Sequence, residues 1–167
     1  QSSPSLIQRP GGETAALLSG WIDAEAGRRF FAFLHLYEPH TPYEPPEPFR
    51  SRYASTPYDG EIAAADAIVG EFLGRLKAKG LYDPALVVFL SDHGESLGEH
   101  GEDEHGIFLY RSTLQVPLLL KLPGGKLGGT KVPGAVQLTD LVTTIGEATA
   151  TPGFPRADGA VSLVALA

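Results

Sequence analysis

Ala85-Leu86-Val87-Val88-Phe89-Leu90, running directly into Ser91-Asp92-His93-Gly94-Glu95-Ser96-Leu97-Gly98-Glu99-His100, is the stretch that decides the fold. An apolar run without alternation predicts a strand whose two faces are both covered by helices. The polar, Gly-rich residues 91–109 predict a loop at its carboxyl end, the place where open α/β sheets bind ligands. Upstream, from Glu61 to about Lys79, apolar Ile62, Ala65, Val69, Phe72 and Leu76 recur at helical spacing and line one face. Gly80 is the natural stop. Gly70 and Gly74 each cost about 1 kcal/mol against Ala in a helix interior, and are expected to permit close packing on a sheet. Downstream, Val116–Leu122 (VPLLLKL) predicts another buried strand, with Pro117 tolerated near its start.

Further out, Phe30–Leu36 is an aromatic and apolar run of strand length, and a helix is predicted over Glu13–Ala26, with Leu17, Leu18, Trp21 and Ile22 as its stripe and Gly27 as its stop. Residues 38–57 contain six prolines and are expected to be irregular. A last helix is predicted near Leu138–Ala148, and residues 152–167 carry too weak a pattern to assign. Residues 1–12, rich in Ser, Pro and Gly, read as a flexible lead segment, with 13–167 forming a partial domain. Strands alternating with helices, and no hairpin signals between them, predict an α/β fold: a parallel or mixed sheet flanked by helices.

With 167 residues, the chain is long enough for one domain with a substantial core. A net charge of −7 and the lack of any basic stripe argue against a nucleic-acid partner. No run approaches the roughly 18 apolar residues of a membrane span. The absence of cysteine excludes disulfides, thiolate metal sites and a cysteine nucleophile within these residues, and leaves the compartment unknown. The start at Gln1, with no Met, reads as a piece of a longer chain.

All five histidines lie in or beside two loops that follow predicted strands. The first runs His35-Leu36-Tyr37-Glu38-Pro39-His40-Thr41-Pro42-Tyr43; the second runs from Ser91 through His105-Gly106. Just past a strand end, with Gly94 relaxing the backbone, Asp92 and His93 can both turn toward one point and offer half of a metal site. Read as a bare dipeptide, they fit equally an Asp capping a turn beside a surface His. His35 reads as a core residue or one behind the site, and His100 as a loop residue. Glu95, Glu99, Glu102, Asp103 and Glu104 read as a mostly solvated acidic cluster, with Glu95, nearest the pair, as the exception to test. Lys121 reads as structural.

The fuller string Ser91-Asp92-His93-Gly94-Glu95-Ser96-Leu97-Gly98-Glu99-His100-Gly101, followed by His105-Gly106 and by Leu109-Tyr110 and Val116-Pro117-Leu118, resembles the sulfatase family of the alkaline-phosphatase-like superfamily. Phe33–Tyr43 and Tyr58-Asp59-Gly60-Glu61-Ile62 are similar to that family's segments in the same order, with weaker echoes at Leu138–Leu141 and Asp158-Gly159. The resemblance implies the C-terminal part of a catalytic domain. Asp92 and His93 would be metal ligands, and His40 would contact the transferred group and the leaving-group oxygen. His105 is similar in placement to a substrate-contacting histidine of phosphoethanolamine-transferring relatives. Many sulfatases place a Lys near this point, and none lies between Asp92 and Gln115.

The implied cofactor is a divalent metal ion, calcium in a sulfatase and zinc or manganese in a phosphotransferase. Formylglycine is expected outside this chain, since Ser2-Ser3-Pro4-Ser5 is followed by Leu6 where the family motif has Arg. The implied partner is a small-molecule or glycan sulfate ester, and the isolated chain is expected to be inert. Relatives are often periplasmic or extracellular. An uncovered sheet edge would favour a homodimer of the piece. Two rival readings stay open: phosphoryl or phosphoethanolamine transfer, and a non-catalytic binding domain that keeps the fold. The enzymatic readings turn on whether His40, Asp92, His93 and His105 gather at one rim of the sheet.

Overall fold

A computed structural model describes residues 9–25 and 27–167. Ser2–Leu6 and Ala26 therefore lie outside the described residues, as does most of the lead segment. The chain divides into two compact units, Gln1–Lys79 and Gly80–Ala167.

The first unit is helical. α1 (Gly11–Ala24), α2 (Phe49–Arg52) and α3 (Pro57–Ala78) make it up, with α3 packed on both others. Pro57 starts α3 where a missing N–H costs nothing. Asp59 in its first turn and Arg75 and Lys77 in its last complement the helix dipole. Gly80, at φ 68°, ends it in a conformation that favours glycine. The predicted stripes hold only in part: Ile22 is buried and Leu18, Ala65, Val69, Phe72 and Leu76 are half-buried. α1 buries Gly11, Ala15 and Ile22, while Leu17 and Trp21 are exposed. α3 buries Gly60, Glu61 and Ala64, and Ile62 is 44% exposed. Small residues set these faces because the loop and neighbouring helix come close: a Cβ on Gly60 would sit 2.8 Å from Pro45 Cγ. Gly70 and Gly74, expected to admit a close neighbour, face open space among the described residues.

Residues 30–36 are not a strand. Their exposure alternates residue by residue, as in an extended chain, but a strand also needs a ladder partner, and they have none among the described residues. His35 is accordingly exposed rather than in the core, with its ring 6.0 Å from that of Phe33.

The second unit holds β1 (Val87–Leu90) and β2 (Leu118–Lys121), with the short α4 (Arg111–Leu114) between them and α5 (Asp140–Thr149) and α6 (Leu163–Leu166) after them. The α/β class holds. The strands pair antiparallel, Val87 opposite Lys121 through Leu90 opposite Leu118. No hairpin signal foretold this pairing, because the return is made by the folded segment 91–117 rather than by a tight turn. Phe89 and Leu119 face each other across the ladder on its exposed side, at 44% and 61% exposure, so this strand is not covered on both faces by the described residues.

Polar anchors do much of the rest. Lys121 Nζ donates to the carbonyls of Tyr82, Asp83 and Ala85 at 2.5, 2.6 and 3.1 Å, which ties the approach to β1 onto the end of β2. Asp140, 2% exposed, accepts the N–H groups of Gln137 and Val161 at 2.8 and 3.0 Å. Thr144 Oγ1 donates to the Asp140 carbonyl and accepts the Leu163 N–H, joining α5 to α6. Among the described residues, no helix is long and apolar enough to cross a membrane.

Candidate functional site

In the second unit, β1 delivers the chain into a loop built on hydrogen bonds instead of an apolar core. Ser91 Oγ donates to the His93 carbonyl at 2.6 Å, and the Gly94 N–H donates to the Thr113 carbonyl at 2.8 Å. Gly94 is obligatory at this point: a Cβ there would lie 2.0 Å from the Ser112 carbonyl oxygen. Ser96 is fully buried and donates to the Glu102 carbonyl at 2.6 Å. Glu102 is buried too, and its Oε1 accepts the N–H groups of Ile107 and Phe108 at 3.0 and 3.2 Å. Glu102 thus joins Glu95 as a buried member of the acidic cluster, while Asp103 and Glu104 are exposed. Glu99 does stay exposed, and the N–H of Leu97, at 2.7 Å from its Oε2, draws its pKa below the usual value.

These constraints bring Asp92, His93 and His105 together. The rings of His93 and His105 stack, centroids 3.8 Å apart and 27° between planes. Asp92 Oδ1 lies 3.9 Å from His93 Nε2 and accepts the His93 backbone N–H at 3.1 Å. His93 Nδ1 lies 2.8 Å from the Gly94 carbonyl. A carbonyl only accepts, so Nδ1 carries a proton, and in the neutral ring Nε2 carries the lone pair. His105 Nδ1 lies 2.9 Å from Glu95 Oε1. The Glu95 side chain is 4% exposed, and its Oε2 has no hydrogen-bond partner. His100 is exposed and stacks on Tyr110 at 3.9 Å.

His40 belongs to the first unit. Its Nδ1 lies 2.7 Å from the Thr41 carbonyl, and its ring is 4.4 Å from that of Tyr37. Two carboxylates fix the loop around it. Glu38 Oε1 accepts the Gly11 N–H at 2.9 Å, satisfying a donor at the start of α1. Glu61 Oε1, from α3, accepts the Glu44 N–H at 2.9 Å. Burial pushes the Glu61 carboxyl above its usual pKa, partly offset by that hydrogen bond. Sequence reasoning missed both anchors. Glu61 is buried at the head of α3 because the loop it holds supplies the backbone donor.

The residues present fit a divalent ion in kind. An exposed carboxylate oxygen beside an imidazole nitrogen, whose ring is oriented through its other nitrogen, is a mixed donor pair of the sort zinc and manganese accept. They amount to a pair: no group of three or more His, Cys, Asp or Glu with metal-holding geometry exists among the described residues.

Comparison with known proteins identifies the family and the fold. The family model described as Sulfatase matches residues 9–151. Arylsulfatase K of Mus musculus is 34% identical over 88 residues, 53% of this chain and 16% of that protein. An arylsulfatase of Clostridium perfringens is 32% identical over 95 residues, 55% of this chain and 20% of that protein. Two solved structures share the fold: Ps i-CgsB in complex with k-i-k-neocarrahexaose (TM-score 0.66, 22% identity, 84% of this chain and 34% of that one) and yidJ from Bacteroides fragilis (0.69, 20%, 90% and 40%). This chain spans a fifth or less of the length of these two curated relatives. A family match over most of the chain, and a loop that folds the Asp-His-Gly string around stacked imidazoles, lead to one conclusion: the chain belongs to the sulfatase family of the alkaline-phosphatase-like superfamily.

Proposed function

We propose that the protein carrying this chain hydrolyses sulfate esters, and that this chain supplies part of its site. Asp92 and His93 hold one side of a divalent metal ion, and His105 and His40 act on the sulfuryl group and the leaving oxygen. The observation that carries the reading is the stack of His93 on His105, with Asp92 beside it, at the carboxyl end of β1. When bound, the ion supplies positive charge that polarises the sulfuryl oxygens. His93, with Nδ1–H on the Gly94 carbonyl, presents Nε2 to the metal, and Asp92 offers carboxylate oxygen beside it. His40 is tethered at Nδ1 by its own loop, so Nε2 is its nitrogen for a departing alkoxide. An imidazole titrates near 6.5 when unperturbed, and a general acid of this kind contributes about 10²–10⁴-fold in rate.

His105 stands where many sulfatases have Lys, and this favours a second reading, phosphoryl transfer at the same site. The two are separated by assaying aryl sulfate against phosphodiester substrates with the protein that carries this chain. Turnover of the sulfate, lost about 100-fold or more in Asp92→Ala and in His93→Ala, is the expected result. The 167-residue chain alone, with no cysteine and a pair of metal donors, is expected to give no turnover. Unchanged activity in both variants would leave only a non-catalytic binding role for these residues.

A further inference from the structure

We infer that Glu95 is a positioning residue whose buried carboxylate sets the proton and the orientation of the His105 ring. The inference rests on the role proposed above for His105. The three histidines proposed for the site all engage the protein through Nδ1, but by different means. His40 and His93 use the carbonyl of the next residue, at 2.7 and 2.8 Å. His105 uses a side chain ten residues away, Glu95 Oε1, at 2.9 Å.

The other acidic groups of the loop have a different task. Glu102 accepts two backbone N–H groups and Glu99 accepts one, so both hold the chain in place. Glu95 holds an imidazole. Its side chain is 4% exposed, and its Oε2 has no hydrogen-bond partner. Burying a carboxylate with one oxygen unserved costs several kcal/mol in general, so a loop that needed only internal ties would be better served by an apolar residue. A carboxylate offers only acceptors, so Nδ1 must carry the hydrogen and, in the neutral ring, Nε2 carries the lone pair. The stack on His93 at 3.8 Å fixes the plane of the ring, and Glu95 fixes its rotation within that plane.

The test is long-range proton–nitrogen NMR on the full 167-residue chain carrying ¹⁵N-histidine, at a pH about two units above the ordinary histidine range near 6.5. In wild type, the His105 hydrogen sits on Nδ1. In Glu95→Gln it stays there, because the amide oxygen still accepts it. In Glu95→Ala it moves to Nε2, the nitrogen preferred by a free imidazole side chain. His40 and His93 keep Nδ1–H in all three proteins. The inference is overturned if His105 carries its hydrogen on Nε2 in wild type, or keeps it on Nδ1 in Glu95→Ala. It is equally overturned if Glu95→Ala disturbs His93 along with His105, since Glu95 would then be holding the loop and not the ring. Full turnover by His105→Ala in the longer protein would sink the role of His105 and leave the NMR result standing, so the two failures are distinguishable.

Discussion

Replacing Gly94 by alanine probes the joint on which the whole loop turns. The new Cβ would meet the Ser112 carbonyl oxygen at 2.0 Å and its carbon at 3.0 Å. Non-bonded heavy atoms prefer separations of about 3.5–4.0 Å, so the backbone at 94 or at 112 must move by more than about 1 Å. Overpacking of this kind costs about 1–3 kcal/mol. The same movement breaks the 2.8 Å bond from the Gly94 N–H to the Thr113 carbonyl, worth a further 0.5–1.5 kcal/mol or so. Alanine recovers about 0.4–1 kcal/mol by restricting the unfolded chain. The net expectation is a loss of about 0.5–4 kcal/mol. Urea unfolding followed by circular dichroism would show it as a lower midpoint. Gly70→Ala is the control: its Cβ meets nothing within 4 Å, and it sits in a helix interior where alanine is favoured by about 1 kcal/mol. A Gly94→Ala protein as stable as wild type would refute the packing argument, and with it the account of how Asp92 and His93 are aimed.

Substitutions at three further positions test the polar anchors. Glu61→Gln keeps an oxygen for the Glu44 N–H but removes a charge that burial disfavours. The folded-state pKa is raised, so the penalty is full above it and vanishes once pH falls below the ordinary value of 4.5; the variant should unfold at higher urea than wild type near pH 7 and match it in acid. Asp140→Ala strands the N–H groups of Gln137 and Val161, and thermal or urea unfolding should show a loss of about 2–6 kcal/mol. Lys121→Met removes the ammonium that three carbonyls share and should cost about 1–3 kcal/mol in the same assay. Lys121→Arg should not restore it, because a planar fork cannot converge on three carbonyls as a point charge does.

What the sequence revealed, and what it hid, follows from the range of the forces involved. β1, β2, α3 and α5 were legible because apolar runs and helical periodicity are local, and Gly80 ends α3 for a reason its own backbone supplies. Asp92-His93-Gly94 was legible because it follows a strand end. Residues 30–36 were misread as a strand because pairing is a property of two segments, and only one was in view. The head of α3 was misjudged because hydropathy placed Ile62 inward, whereas Glu61 is drawn in by a backbone donor seventeen residues away. Glu102 looked solvated for the same reason: the N–H groups it serves belong to Ile107 and Phe108, and nothing in an acidic run announces them. Lys121 was read as structural, and its three carbonyl contacts give that reading its cause.

The central claim is that Asp92 and His93 offer their donors to one divalent ion. Substoichiometric Mn²⁺ added to the ¹⁵N-histidine chain tests it most directly, because a paramagnetic ion broadens nearby ring signals even when it binds weakly. The account predicts selective broadening of His93 and of His105, stacked 3.8 Å from it, and loss of that selectivity in Asp92→Ala. Broadening that ignores these two rings, or that persists unchanged at both rings in Asp92→Ala and at His105 in His93→Ala, would contradict it.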